Sequence, residues 1–202
     1  VSAKAEKKER SHGAILDAAA RLLRSGGAAG ASVAEVMSAA GLTVGGFYAH
    51  FASKDELVAE ALARCEREMC ERLLAGLEDW APPDRVEMIL RRYLSRTHRE
   101  DVEGGCALPS LLSDVVTRGT CRDALAREIS TLADAIEPHH PALPSSPRRQ
   151  RALAAIALMV GGLSLSRALR GTPLSDEILK ACRAYGRAAM RGYMADAPDA
   201  AP

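Results

Sequence analysis

Aromatic side chains are scarce in this sequence: one Trp, four Tyr and two Phe in 202 residues. A core without them is assembled from Leu, Ala, Ile, Val and Met, which suit helices better than strands. The five cysteines, at 65, 70, 106, 121 and 182, are odd in number and include no Cys-x-x-Cys pair. That argues against a disulfide framework or a structural zinc site and for reduced thiols in a cytosolic protein. The N-terminus is charged and has no apolar signal core. The longest apolar stretch, residues 152–165, is interrupted by Gly161, Gly162 and Ser164. It is shorter than the ~20 residues that span a bilayer, so no membrane partner is expected. No sustained strand alternation and no repeat is evident. His139 and His140 fall in a Pro-rich loop without ligand spacing. No Ser-His-Asp order or Gly-rich phosphate loop stands out, so no metal, cofactor or catalytic residue is expected.

What is present is helical periodicity and an uneven distribution of charge. Residues 1–54 hold seven Lys or Arg against four acids, and the remainder is slightly acidic. A basic N-terminal piece suits the neighbourhood of phosphates. Residues 1–10 are polar and read as frayed. From Ser11, Ile15, Ala18, Ala19, Leu22 and Leu23 trace one buried helical face that Gly26 and Gly27 are expected to stop. Ser32, with Glu35 three residues on, reads as a capping box opening a second helix. Gly41 supplies a tight corner, Leu42 plugs it, and Thr43 caps a short third helix ending near His50. A second capping box, Ser53 with Glu56, opens a fourth helix. Its stripe runs through Leu57, Ala61, Leu62, Cys65, Met69, Leu73 and Leu77. Further helices are expected at about 84–99, 108–116, 121–137, 148–170 and from 175 to about 194, with a loop at 138–147 and a tail at 195–202. The fold class is all-α, with about nine helices.

Two short helices joined by a Gly-containing turn have the grammar of a helix-turn-helix. Residues 10–57 closely resemble the DNA-binding domain of the TetR/AcrR family of transcriptional regulators. The resemblance rests on Phe47, Tyr48, His50, Phe51, Ser53, Lys54 and Leu57. It implies a three-helix DNA-binding domain at 1–52 and a helical effector-binding and dimerisation domain at 53–202. It also implies that Tyr48 contacts phosphate or a thymine methyl, that His50, Lys54 and Thr43 contact phosphate, and that Ser32 touches the backbone. Val44, Gly45 and Gly46 take the base-facing positions, Phe47 and Phe51 pack inward, and Lys7, Lys8 and Arg10 form an arm. The departure from the family pattern is the second glycine, which weakens a helix by about 0.5–1 kcal/mol relative to Ala and removes a base-reading side chain.

The resemblance implies a homodimer on a palindromic double-stranded operator, released by a small lipophilic effector, in the bacterial cytoplasm at the nucleoid. Apolar residues on more than one face of the 148–170 helix give independent support for a dimer, the alternative being a helix fully buried in a monomer. The expected interface comprises Leu153, Ile156, Met159, Val160 and Leu163 with Ile178, Cys182 and Tyr185. Expected pocket residues are Trp80, Met88, Tyr93, Cys106, Leu108, Leu111, Leu112, Val115 and Leu125. Cys106, after Gly104 and Gly105 and near a helix start, suggests an alternative: a thiol that senses oxidants or electrophiles. Its bland reading is a small buried residue at a tight entry. A helical enzyme or carrier with a vestigial DNA-binding domain would need a polar catalytic cluster in the second half, and none is visible.

Overall fold

The computed structural model describes residues 2–119, 121–139 and 147–190. His140, most of the expected 138–147 loop and the expected tail lie outside them. Among the described residues there are nine α-helices, two 3-10 helices and no strand. The helices are α1 (Ala3–Gly30), α2 (Val33–Ala39), α3 (Lys54–Leu74), α4 (Pro82–Tyr93), α5 (Arg96–Glu100), α6 (Leu108–Arg118), α7 (Arg122–Ile136), α8 (Arg148–Ala168) and α9 (Pro173–Met190). The 3-10 helices are Val44–Ala49 and Glu137–His139.

Two compact units emerge. The first comprises residues 1–70 and 101–128, the second residues 71–100 and 129–202. The first unit thus takes in α6 as well as the N-terminal helices. The sequence boundary at 52/53 divides expected roles, whereas these units divide packing.

In the first unit, α1 begins at Ala3 instead of fraying to Ser11. Ser2 caps it, accepting from the Ala5 amide, and residues 3–10 are strong helix formers with Glu6 four residues before Arg10. Gly26 and Gly27 kink the helix rather than stop it. Gly27 alone leaves the helical region, at φ 64° and ψ −165°, and the chain stays helical to Gly30. Helix α6 repairs the kink. The Ser110 hydroxyl donates to the Arg24 carbonyl (2.6 Å), and the Ala29 amide donates to Asp114 Oδ2 (3.0 Å). Two backbone groups at the kink, the Arg24 carbonyl and the Ala29 amide, are thereby satisfied.

Both arms of the α2 capping box form: the Glu35 amide donates to Ser32 Oγ (3.2 Å) and the Ser32 amide to Glu35 Oε2 (3.1 Å). The helix ends in a Schellman turn, with Gly41 at φ 70° and the Leu42 amide on the Met37 carbonyl. The third helix of the sequence reading is instead a 3-10 helix, Val44–Ala49, with the Gly46 amide on the Thr43 carbonyl. Two adjacent glycines lower the stability of an α-turn, and a short segment can close with i→i+3 bonds instead. Ser53 caps α3 through the Glu56 amide, while the Glu56 carboxylate reaches back to the Ala52 amide.

In the second unit, the expected 84–99 helix is two helices, α4 and α5. Ser95 breaks it, donating to the Arg92 carbonyl and accepting from the His98 amide. Helix α8 packs on α9, α4 and α5. Gly162 makes one approach possible: a Cβ there would lie 2.8 Å from Cys182 Sγ and 3.0 Å from Leu94 Cδ2. The apolar run at 152–165 lies inside the 21 residues of α8, which by length and composition alone could cross a membrane; half of that window is buried in the protein, as in a core helix.

Candidate nucleic-acid interface

Phe47 and Phe51 are buried and stack at 5.7 Å between ring centroids. They pin the 3-10 segment from beneath, as the sequence suggested. On the outer side Tyr48 is 77% exposed and Val44 52% exposed. Thr43 and Gly45 are exposed, and Gly46 is half-buried. A Cβ at Gly45 would meet nothing within 4 Å, and one at Gly46 only Met37 Cε at 3.8 Å. Thr43 was expected to cap this segment with its side chain. It makes no such bond, which leaves the hydroxyl available to a phosphate.

Ser32 is half-buried, and its amide is committed to Glu35. Of the two backbone contacts expected of it, only its hydroxyl proton remains to be donated. Lys54, half-buried, opens α3 and lies close enough to Glu35 to help hold that carboxyl below its usual range, after the hydrogen bonds with Ser32. Lys7, Lys8 and Arg10 are exposed. They stand on the first turns of α1 rather than on a loose arm, so helical geometry fixes their directions.

His50 is half-buried at the end of the segment, with Nδ1 enclosed and making no hydrogen bond. Burial, then the nearby charges of His12 and Lys8, lower its pKa. His12 was missing from the sequence reading of this site. It stacks on Phe51 at 4.7 Å and puts Nε2 3.2 Å from Glu60 Oε2. Helical register held the signal, because His12 lies three residues before the buried Ile15.

The first unit also holds a buried polar cluster. Glu66 is only 2% exposed; its Oε1 lies 3.7 Å from Cys106 Sγ, and its Oε2 has no partner. Burial pushes the Glu66 carboxyl up to about 7, and Glu128 adds to the shift, while Cys106 and Arg24 oppose it. Arg24 donates to Glu68 (2.5 Å) and to the Glu103 carbonyl (3.4 Å). Burial works against the Glu68 carboxylate, but its bonds to Arg24 and Arg64 prevail and its pKa is lowered. Cys106 is wholly buried and accepts from the Leu108 amide.

The expected pocket residues divide between the units. Cys106, Leu108, Leu111, Leu112, Val115 and Leu125 lie in the first, and Trp80, Met88 and Tyr93 in the second. Trp80 is 45% exposed, and Tyr93 is fully buried. Clefts within the units have other linings. One of about 350 Å³ is formed by Glu87, Leu90, Arg91, Lys180, Arg183, Ala184 and Arg187, and one of about 420 Å³ includes Asp55, Gly119, Cys121 and Arg122. Among the described residues no group of His, Cys, Asp or Glu is placed to hold a metal ion.

The expected dimer face needs correcting. Ile156, Met159, Val160 and Leu163 are buried within the protomer, so they have little or no surface to offer a second copy. Beyond its polar first turn, α8 exposes Leu153, Ala154, Ala157, Gly161, Leu165 and Ala168. Helix α9 exposes Leu174, Ala181, Tyr185 and Ala188, with Ile178 and Cys182 half-buried.

A segment anchored from below by two phenylalanines, exposed above and flanked by cations has the form that enters a major groove about 12 Å wide. The segment from α2 to the start of α3 is a helix-turn-helix of the DNA-binding kind. Comparison with known proteins agrees: residues 15–61 match the tetR family of bacterial regulatory proteins. That part of the chain is a TetR-family DNA-binding domain, and the whole has the fold of the family's transcriptional regulators. A Rhodococcus sp. protein assigned to the family is 24% identical, with TM-score 0.73 over 92% of this chain and 99% of its own. A TetR transcriptional regulator from Chloroflexus aurantiacus J-10-FL is 23% identical, with TM-score 0.74 over 92% and 96%. The reduced form of Escherichia coli NemR is 20% identical, with TM-score 0.73 over 87% and 94%. None of the curated proteins matches the chain.

Proposed function

We propose that this protein is a cytoplasmic, homodimeric transcriptional repressor that binds a palindromic operator and is released from it by a small lipophilic effector. Residues 1–52 read DNA, and residues 53–202 dimerise and receive the effector. The observation that carries the reading is the exposed row Thr43, Val44, Gly45 and Tyr48 on a segment fixed by buried Phe47 and Phe51. Tyr48 and Val44 supply apolar contact to base edges. Lys54, Thr43, His50 and the cations of α1 supply phosphate contacts.

Operator selection with the purified protein, followed by titration of variants, tests this. Tyr48→Ala should weaken binding by about tenfold and relax preference at the bases it touches. Lys54→Ala should weaken all sequences alike and reduce the salt slope by about one ion. If neither variant changed affinity, the assignment of this surface would fail.

Dimerisation is supported by the apolar stripes left exposed on α8 and α9. Residues 154, 157, 161, 165 and 168 on α8 recur at the spacing of a helix-packing seam, as do 174, 178, 181, 185 and 188 on α9. Small residues at 157, 161 and 181 permit close helix approach. Gly161→Glu should therefore give monomers in sedimentation velocity and a large loss of operator affinity, with helix content unchanged. A dimer that survived the substitution would remove this face from the interface.

The thiol-sensing alternative has less support. Reactive thiols sit exposed near cations, whereas Cys106 is buried against the Glu66 carboxyl.

A further inference from the structure

Three elements of the DNA-reading unit meet at one side chain. His12 projects from α1; its ring stacks on Phe51 at 4.7 Å and 20°, and lies 5.9 Å from the His50 ring at 42°. Its Nε2 lies 3.2 Å from Glu60 Oε2 on α3. A carboxylate accepts, so His12 carries a proton on Nε2 and donates it to Glu60. The ring is thus held on one face by Phe51 and at one edge by Glu60.

His50 is held differently. Its Nδ1 is enclosed without any hydrogen-bond partner. A neutral imidazole places its one proton where that proton can be solvated or accepted, and an enclosed nitrogen with no acceptor is the poorer place. The proton of His50 therefore sits on Nε2. Burial and the fields of His12 and Lys8 lower its pKa and so favour the neutral ring. His50 is then a neutral donor whose N–H is aimed by whatever fixes its ring plane. The charged and titratable groups facing it are Lys8 and His12 from α1, with Glu60 on α3 behind His12.

We propose that His12 is a positioning residue for DNA binding: wedged between Phe51 and Glu60, it fixes the His50 ring so that Nε2–H points outward to a phosphate oxygen. The proposal rests on the reading of His50 as a DNA contact and adds a residue that itself need not touch DNA. It also ties α1 and α3 to the geometry of the recognition segment through one imidazole.

The test uses the full chain and two readouts. In the DNA-free protein, imidazole nitrogen shifts measured by NMR should show His50 as the Nε2–H tautomer. His12→Ala should convert it to a tautomer mixture, and His12→Phe, which keeps the stack on Phe51, should restore it. In operator titrations His12→Ala should weaken binding by about tenfold, the value of one hydrogen bond to a charged group. His12→Phe should recover most of that loss, and His12→Ala should cost nothing further in a His50→Ala background. An unchanged His50 tautomer in His12→Ala, or a full additive loss in the His50→Ala background, would overturn the positioning role. Equal operator affinity of wild type and His50→Ala would overturn the His50 contact itself. That failure is distinguishable, because the tautomer measurement needs no DNA.

Discussion

Gly27→Ala should destabilise the protein by about 4 kcal/mol, lowering Tm by on the order of 10 °C, whereas Gly26→Ala next to it should be neutral or mildly stabilising. The contrast follows from the kink in α1. Gly27 holds φ 64° and ψ −165°, a region that residues with a Cβ essentially do not enter. A Cβ there would also lie 2.6 Å from the Ser110 carbonyl oxygen and 2.5 Å from Asp114 Oδ2. The carbonyl belongs to the α6 backbone, so the collision cannot be relieved by turning a side chain. Conformational strain of about 1–3 kcal/mol adds to an overpacking cost of similar size. Gly26 has open space where a Cβ would go, so there only the helix-propensity gain of alanine acts. Thermal unfolding of both variants decides the matter. Equal Tm shifts would mean that the kink is not the determinant.

The second large effect is a pH dependence centred on Glu66. The folded protein holds this carboxyl at about 7, against an ordinary value near 4.3 in an unfolded chain. Between those values the unfolded chain has lost its proton while the folded protein keeps it. Stability is therefore full below about pH 4.5, falls as pH rises toward 7, and is level above. The span corresponds to about 4 kcal/mol. Glu66→Gln removes the titration. Between pH 5 and pH 8 the wild type should lose most of that amount relative to Glu66→Gln, measured by urea unfolding at each pH. Identical pH dependence in the two proteins would place the titration elsewhere. A poor fit of the amide would shift stability equally at every pH, which is why the slope, and not the absolute stability, is the measure. Arg24 does not cancel the effect, because its guanidinium is already committed to Glu68 and the Glu103 carbonyl.

Much of this was legible in the residues because the signals were local. The Ser32–Glu35 box, the Gly41 corner, the Ser53 cap and the inward Phe47 and Phe51 each depend on neighbours within a few positions. Most of the missed features depend on partners far along the chain. Gly27 reads as a helix stop until α6 supplies Ser110 and Asp114 to take up the freed backbone groups. The recognition segment reads as an α-helix because Thr43 looks like a cap, but two glycines leave the backbone free to wind more tightly. Helix α8 is apolar on several sides, and sequence cannot say which side meets α4 and α9 and which is left over. Met159 and Leu163, expected at the dimer face, are therefore found in the core of the protomer. For His12 the sequence carries only its helical register three residues before Ile15, and its place in the site depends on Phe51 and Glu60, which lie far along the chain.

The openness around Gly45 and Gly46 bears on how such a protein diversifies. No neighbour constrains the size of a side chain at 45, and only a methionine terminus lies near one at 46. If the proposed reading of this surface holds, exchanges at these two positions alter what the groove encounters while leaving the hydrophobic anchor beneath untouched. A lineage carrying this scaffold can therefore drift toward new target sites by single substitutions without passing through unstable intermediates, and a laboratory library confined to 45 and 46 would explore recognition independently of folding.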